Sequence, residues 1–209
     1  MNISKTISEY LTELSSSSPT PGGGNVAAFC GALSSSLGMM VCNLTIGKKK
    51  YADVEDELKS IKDKLESFQK SFIELAEKDN EAFNKVIEAM KLPKENEEQN
   101  EIRSKKIEEA TIHAAEIPSE VLKNCYNMLP LLKTILDKGN KNSLSDAGVS
   151  IALLKAAAQS AYFNVLINCK SLSNQTIASE IQKGVQVIYD EIEKTSEILL
   201  SIVSNSIQL

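Results

Sequence analysis

The sequence is short of the residues that usually build metal centres and catalytic triads. Its 209 residues include one histidine, four cysteines and no tryptophan. No two of the cysteines form a Cys-x-x-Cys pair, and spaced pairs of this kind are the usual sign of a zinc site. A Ser-His-Asp or Cys-His relay would have to use His113, the single histidine. We therefore expect chemistry that depends neither on metal ligands nor on a triad.

Positive charge is also scarce, as are turn-forming and aromatic residues. The chain has 23 Lys and Arg against 28 Asp and Glu, a net charge of −5. An excess of acidic residues argues against binding to nucleic acid, which relies on basic side chains that meet phosphates. Nine glycines, five prolines and 5% aromatic residues are few for a β-rich protein. The composition favours an all-α protein.

Neither a leader segment nor a membrane span is indicated. The first residues, MNISKTISEYL, carry Lys5 and Glu9 where a signal peptide would be apolar. The chain has no charged residue from Leu14 to Gly47, but this stretch contains Ser34, Ser35, Ser36 and other polar residues. It therefore reads as a buried helix rather than a lipid-facing one. We expect a cytoplasmic protein with reduced thiols and no contact with membranes.

The apolar periodicity predicts a single domain, 1–209, folded as an up-and-down bundle of about six to seven helices. Ser4 is the predicted N-cap of the first helix, and a loop at 15–25 follows it. Pro118 is predicted to begin a new helix after a break, because proline suits the first helical turn. The predicted helices are 4–14, 26–46, 51–91, 97–116, 118–138, 145–169 and 174–204.

Two patterns single out the second and third helices. Gly24, Gly31 and Gly38 recur every seven residues, which would let another helix approach closely. The third helix has apolar residues in alternating steps of three and four, the pattern of a packed helix face. Asp79 occupies one position of that row where an apolar side chain is expected. The row is Leu58, Ile61, Leu65, Phe68, Phe72, Leu75, Asp79, Ala82, Val86 and Ala89.

Asp79 is the leading candidate for chemistry. A carboxylate on an apolar helix face is costly and has a raised pKa unless it is paired. Such a group can act as a general acid or base near neutral pH. A buried structural partner of a lysine or a backbone amide would give the same pattern.

Further candidates are polar residues near predicted helix ends. Gly22, Gly23, Gly24 and Asn25 precede a helix and could bind an anion or carbonyl group, or only form a tight turn. The other candidates carry similar alternatives. Lys48 and Lys49 could bind a ligand carboxylate or offset a helix dipole; Asp146 could cap a helix; and Asn164 and Asn168, four residues apart on one helix face, could face a ligand or link helices.

Three long blocks of the chain resemble the formiminotransferase-cyclodeaminase family. Its members include the cyclodeaminase domain of a bifunctional animal enzyme and small bacterial methenyltetrahydrofolate cyclohydrolases. The resemblance covers nearly the whole chain. The blocks are SSPTPGGGNVAAFCGALSSSLGMMVCNLTIGKKKY at 17–51, DNEAFNKVIEAMKLPK at 79–94, and GNKNSLSDAGVSIALLKAAAQSAYFNVLINCKSL at 139–172.

The resemblance implies an all-helical homodimer, joined through long helices, that binds a tetrahydrofolate derivative near the subunit interface. It also implies an enzyme acting on the one-carbon unit at N5 and N10, with no cofactor beyond the folate substrate. One reaction of the family is cyclodeamination of 5-formiminotetrahydrofolate to 5,10-methenyltetrahydrofolate and ammonia; a separate formiminotransferase would then supply the substrate. The other is hydrolysis of the methenyl compound to 10-formyltetrahydrofolate.

The resemblance further implies roles for individual residues. Asp79, in the segment D-x-x-A-F, corresponds to the catalytic aspartate. Substrate-binding roles fall on Gly22, Gly23, Gly24 and Asn25, on Lys48 and Lys49 for the glutamate carboxylates or a polyglutamate tail, and on Asp146, Asn164 and Asn168 for the pterin.

The choice between the two reactions depends on conflicting details. The run VCNLTIGKKKY resembles the bacterial hydrolases, whereas AYFNVLIN resembles the cyclodeaminase domain. On balance the sequence favours the cyclodeaminase, with the cyclohydrolase as the alternative. A non-catalytic folate-binding or helical interaction protein is a second alternative, which the behaviour of Asp79 variants would separate from an enzyme.

Overall fold

The computed structural model describes residues 5–208, and in that range it contains helices and no strand. This confirms the predicted all-α class. Ser4, the predicted first N-cap, lies outside the described residues; Thr6 instead caps the first helix, in a capping box with Glu9. The α-helices are α1 (Ile7–Leu14), α2 (Gly23–Asn43), α3 (Glu55–Met90), α4 (Glu97–Lys138), α5 (Leu144–Lys170) and α6 (Gln175–Ile207); 3₁₀ turns occupy Lys49–Val54 and Lys141–Ser143.

The three heptad glycines lie where α2 crosses α3 in the antiparallel direction. A Cβ atom at Gly31 would lie 2.6 Å from the Phe72 ring, and one at Gly38 would lie 2.9 Å from the Leu65 side chain. Real Cβ atoms do not approach so closely, so larger residues at these positions would force the helices apart. The third contact of this series joins Gly24 to Asp79. The two sequence patterns therefore describe the two sides of one helix contact.

The predicted break at Pro118 is wrong, because α4 continues through both Pro118 and Pro130. A proline inside a helix leaves the carbonyl oxygen four residues earlier without its usual N–H donor. For Pro118 that oxygen belongs to Ala114, and the side-chain amide of Asn168 on α5 donates to it at 2.8 Å. A neighbouring helix thus replaces the missing donor, which sequence periodicity alone does not reveal.

Helices α2 and α5 form the centre of the bundle. α2 packs between α3 and α5, and α4 packs against both α3 and α5. Ser34 and Ser150, both fully buried, bind each other's backbone carbonyl oxygens and join α2 to α5. α2 and the segment Lys141–Lys170 are long and apolar enough to pass for membrane spans, but here both pack against other helices of the bundle.

The start of α2 differs from the predicted residue by three positions and the start of α5 by one. The predicted loop at 15–25 is shorter, because α2 begins at Gly23 with Gly22 as its N-cap. Asp146 was predicted to cap the following helix but lies inside the first turn of α5, which begins at Leu144. α2 starts before its first apolar residue, Val26, because the glycines at 23 and 24 already belong to the helix.

Candidate active site

A cavity of about 350 Å³ opens at the end of the bundle where α2 begins. Its size is within the range of small-molecule sites. Asp79 carries the single charged side chain among its lining residues in the described part of the chain. The lining residues are Pro19, Thr20, Gly22, Gly23 and Gly24 before and on α2; Asp79, Phe83, Val86 and Met90 on α3; Ile107, Thr111 and Ala114 on α4; and Asn164, Ile167, Asn168 and Ser171 on α5 and just after it.

The Asp79 carboxylate lies directly against the α-carbon of Gly24. A Cβ atom placed on Gly24 would be 2.0 Å from Oδ1 of Asp79, so glycine is the residue that leaves room for this group. Burial raises the pKa of Asp79 to about 6, while the backbone N–H of Asn25 acts in the opposite direction. At neutral pH the group is mostly a carboxylate, and it is basic enough to accept a proton from a reactant.

Asn25 is fully buried and lies beside the site, outside the cavity lining. Its Oδ1 accepts a hydrogen bond from the Tyr10 hydroxyl at 2.8 Å, and its Nδ2 donates to the Ala76 carbonyl at 2.7 Å. Asn25 is not among the cavity-lining residues. The predicted contact between its side chain and a ligand therefore has no counterpart in the cavity, and the side chain instead joins α1, α2 and α3.

The two predicted asparagines on α5 do line the cavity. Asn164 donates from Nδ2 to the carbonyl of Ser160 at 2.8 Å, and Asn168 donates to Ala114 in the same way. A Cβ atom on Gly23 would lie 3.2 Å from Nδ2 of Asn164. An amide has two N–H groups and one oxygen, so each asparagine keeps hydrogen-bonding capacity toward a ligand. Asn168 links α5 to α4, whereas the hydrogen bond of Asn164 stays within α5; both side chains can also face a ligand.

Three predicted residues lie away from the cavity within this chain. The exposed Lys48 and Lys49 follow the far end of α2, whose 21 residues extend about 30 Å from Gly23. Asp146 lies in the first turn of α5, about 27 Å from Asn164 at 1.5 Å per residue. Their roles in substrate binding stay predictions, and this cavity does not bring them to Asp79.

The apolar residues around the cavity were missed as site residues. Phe83, Val86 and Met90 follow Asp79 at steps of four, three and four along α3, so helical spacing would have placed them on its face. Ile167 lies between the two asparagines of α5. Thr111 on α4 carries no such sequence signal. Together these residues give the cavity apolar sides suited to a flat aromatic ligand.

Other polar groups add little to the site. His113 pairs with Glu116, and neither residue lines this cavity. No group of three or more His, Cys, Asp and Glu side chains able to hold a metal ion occurs among residues 5–208. The chemistry of the cavity therefore centres on one carboxylate, two amides and the first turn of α2, whose leading N–H groups lack partners within the helix.

Comparisons with known proteins agree on one family. The family model described as Formiminotransferase-cyclodeaminase matches residues 6–187. A Methenyltetrahydrofolate cyclohydrolase of Methylorubrum extorquens is 38% identical over 203 residues, which cover 97% of this chain and 98% of that protein. A Formimidoyltransferase-cyclodeaminase of Gallus gallus is 28% identical over 96% of this chain, which spans only 37% of that longer protein.

A solved structure adds the fold. The crystal structure of a formiminotetrahydrofolate cyclodeaminase from Thermotoga maritima matches with a TM-score of 0.81 and 32% identity. The match covers 97% of this chain and 96% of the other. Similarity therefore extends over the whole helical bundle.

Proposed function

This chain belongs to the formiminotransferase-cyclodeaminase family and is a folate one-carbon enzyme, and we propose that it hydrolyses 5,10-methenyltetrahydrofolate to 10-formyltetrahydrofolate. The observation that carries the proposal is the partly buried Asp79 carboxylate, held against Gly24 in an otherwise uncharged cavity. An isolated carboxylate of raised pKa suits a reaction in which water must lose a proton.

Sequence identity favours the hydrolase over the cyclodeaminase, although the sequence patterns alone favour the cyclodeaminase. The relative named Methenyltetrahydrofolate cyclohydrolase is 38% identical over nearly the full length of both chains. The relatives named Formimidoyltransferase-cyclodeaminase are 26–29% identical, and this chain spans 35–37% of their length. Agreement in both length and identity supports the cyclohydrolase.

The proposed chemistry has two steps. The methenyl carbon shares the positive charge of the N5–C–N10 bridge, and the Asp79 carboxylate favours this cation electrostatically. Asp79 takes a proton from water as the water oxygen bonds to the methenyl carbon, which gives a neutral carbinol. In the second step the bond from this carbon to N5 breaks, and N5 gains a proton from Asp79. The carbinol oxygen loses its proton to solvent as the formyl group forms on N10. The net change is addition of water and release of one proton.

The cavity supplies groups for the rest of the folate. Phe83, Val86 and Ile167 offer apolar surface for the aromatic rings. The amides of Asn164 and Asn168 offer hydrogen bonds to the pterin edge. The first turn of α2, with Gly23 and Gly24, offers backbone N–H groups to a carbonyl or carboxylate oxygen.

Cyclodeamination of 5-formiminotetrahydrofolate is the second candidate. The 32% identity with a solved structure named as a cyclodeaminase, over nearly the full length of both chains, supports it. In that reaction N10 adds to the formimino carbon, the proton from N10 passes through Asp79, and the leaving nitrogen departs as ammonia. A separate formiminotransferase would have to supply the substrate.

We also propose that two copies of the chain pair through the outer face of α2 and α5. Exposed apolar side chains follow this face on both central helices, and Ile167 belongs both to it and to the cavity lining. Burying such a face is the usual basis of a stable homodimer. A Leu33→Asp variant should elute as a monomer where the wild type elutes as a dimer. The exposed residues are Leu33, Met40 and Leu44 on α2 and Val149, Phe163 and Ile167 on α5.

Parallel turnover assays distinguish the two activities. The purified protein would be offered 5,10-methenyltetrahydrofolate and 5-formiminotetrahydrofolate separately, and the methenyl absorbance and ammonia would be followed. Decay of the absorbance faster than spontaneous hydrolysis, without ammonia from the second substrate, supports the hydrolase. Appearance of the absorbance with ammonia release would instead establish the cyclodeaminase.

A further inference from the structure

Helix α1 is attached to the bundle through one buried side chain. Tyr10 is 3% exposed, whereas Ile7 and Leu11 on the same helix are 67% and 55% exposed. The Tyr10 ring packs beside the Phe29 ring of α2, with ring centres 5.4 Å apart. The Tyr10 hydroxyl therefore reaches into the bundle at the start of α2, next to the candidate active site.

The Tyr10 hydroxyl and the Ala76 carbonyl together hold the Asn25 amide in one orientation, because the carbonyl can only accept a hydrogen bond. The hydroxyl donates to Oδ1 of Asn25, so the Nδ2 side of the amide faces the Ala76 carbonyl and donates to it. Because an amide oxygen cannot donate, this arrangement has only one workable orientation. Without the Tyr10 hydroxyl the buried oxygen of Asn25 would lack a donor, which is costly in the interior.

Asn25 in turn holds two parts of the site together. Ala76 lies on α3 three residues before Asp79, so the Asn25–Ala76 hydrogen bond fixes the distance between α2 and α3 beside the carboxylate. The backbone N–H of Asn25 also interacts with the Asp79 carboxylate. The same carboxylate lies on Gly24, the residue before Asn25. A shift of Asn25 would therefore change the surroundings of Asp79 directly.

We propose that Tyr10 is a positioning residue, which acts through Asn25 to hold the Asp79 carboxylate against Gly24. This rests on the proposed function, in which Asp79 handles the proton. Tyr10 does not line the cavity and so has no direct contact with a ligand there. Small displacements of a catalytic group cost large factors in rate, so the hydroxyl affects turnover more than substrate binding.

Few other ionisable groups among the described residues face Asp79, so a change in its pKa can be assigned to its hydrogen bonding. Among the cavity-lining residues from α2, α3, α4 and α5 no other side chain is charged. The charge of the N-terminal amino group acts to lower the pKa of Asp79 and is common to the wild type and Tyr10→Phe. Among the described residues, the Tyr10 hydroxyl and the Cys30 thiol are the titratable groups near the site, and burial raises the pKa of both. Neither becomes charged near pH 6. A shift in the titration of Asp79 would therefore report a change in its hydrogen bonding.

The test compares Tyr10→Phe with Tyr51→Phe. Tyr51 also uses its hydroxyl in a hydrogen bond, accepting from the Lys141 N–H at 3.1 Å, but at the other end of the bundle. Tyr10→Phe keeps the ring that anchors α1, and we expect it to lower kcat about tenfold or more with KM little changed. The acid limb of the rate profile should move to higher pH, because the interaction with the Asn25 N–H weakens. Tyr51→Phe should change neither.

A double-mutant cycle shows whether Tyr10 acts through Asn25. In the Asn25→Ala background, Tyr10→Phe should lower kcat no further, since coupled residues give non-additive effects. Additive losses would overturn the proposal, as would a Tyr10→Phe enzyme with wild-type kcat and pH profile. A loss confined to thermal stability would also overturn it.

A measurement that needs no turnover separates this proposal from the assigned reaction. The titration of Asp79, followed by NMR of ¹³C-labelled aspartate carboxyl groups, should show a higher pKa in Tyr10→Phe than in the wild type. An unchanged pKa would refute the positioning role whatever the enzyme catalyses. If neither folate substrate is turned over but the pKa moves as expected, the proposed function fails while the structural link between Tyr10 and Asp79 stands.

Discussion

Replacing Asp79 by asparagine should stabilise the protein at neutral pH even though it removes the proposed catalytic group. The pKa of Asp79 is raised from 3.8 to about 6 by burial. The folded state therefore holds its proton more tightly than the unfolded state, and folding is favoured where the group is protonated in the folded state. Stability is lost as the pH rises from about 4 to about 6.

The size of the effect follows from that shift. A difference of about 2 pH units corresponds to about 3 kcal/mol at 1.36 kcal/mol per unit. Asp79 is only partly buried, so solvent reduces the effect, and we expect about 1–3 kcal/mol. Asparagine has the same shape without the charge. At pH 8 the Asp79→Asn protein should be more stable by this amount, and the difference should fall to nearly zero below pH 4.

Urea unfolding of both proteins between pH 4 and pH 8 measures this directly. Asp63→Asn is a matched control, because Asp63 is an exposed residue on the same helix. Its effect should stay within about 0.5 kcal/mol at every pH. A less stable Asp79→Asn protein at pH 8, or a difference independent of pH, would refute the view that burial of the charged Asp79 carboxylate destabilises the fold.

Three further outcomes are expected from the same geometry. The kcat/KM of the wild type should fall as the pH drops below about 6, because protonated Asp79 cannot accept a proton; a rate profile flat to pH 5 after subtraction of the spontaneous reaction would contradict this. Gly24→Ala should abolish turnover by displacing the carboxylate. Gly184→Ala, at a position on α6 where the added Cβ atom would meet no neighbouring element within 4 Å, should keep activity and raise stability by about 0.5–1 kcal/mol; assay and denaturation check both variants. Asn168→Ala should lower the free energy of unfolding by about 1–3 kcal/mol, because the Ala114 carbonyl loses its donor; unchanged stability would show that this hydrogen bond is dispensable.

The heptad patterns indicate which residues of α2 and α3 form the central helix contact, but not that they meet each other. Glycines every seven residues on α2 and one carboxylate in the apolar row of α3 are both visible in the sequence, and they meet at Gly24 and Asp79. Periodicity could not show that these two patterns face each other. Periodicity also could not show that the Asn25 side chain binds Tyr10 and Ala76 inside the bundle, because a buried asparagine and a ligand-binding asparagine look alike in sequence.

The wrong prediction of a helix break at Pro118 has a similar cause. Pro118 ends a helix only when nothing replaces the donor that it lacks. Here Asn168, distant in sequence and close in space, supplies that donor. Asn168 and Ala114 both line the cavity, so the hydrogen bond that replaces the missing donor lies at the edge of the site. Long-range hydrogen bonds of this kind are the information that local sequence patterns lack.

The most direct test of the account is the hydrolysis of 5,10-methenyltetrahydrofolate by the wild type and by Asp79→Asn, with binding measured on the same samples. The absorbance of the methenyl group gives the rate, and fluorescence or calorimetric titration with a stable folate gives the affinity. The account predicts that Asp79→Asn binds folate within a few-fold of the wild type but loses about 10²–10⁴-fold in kcat. A variant that hydrolyses the substrate at the wild-type rate would contradict it.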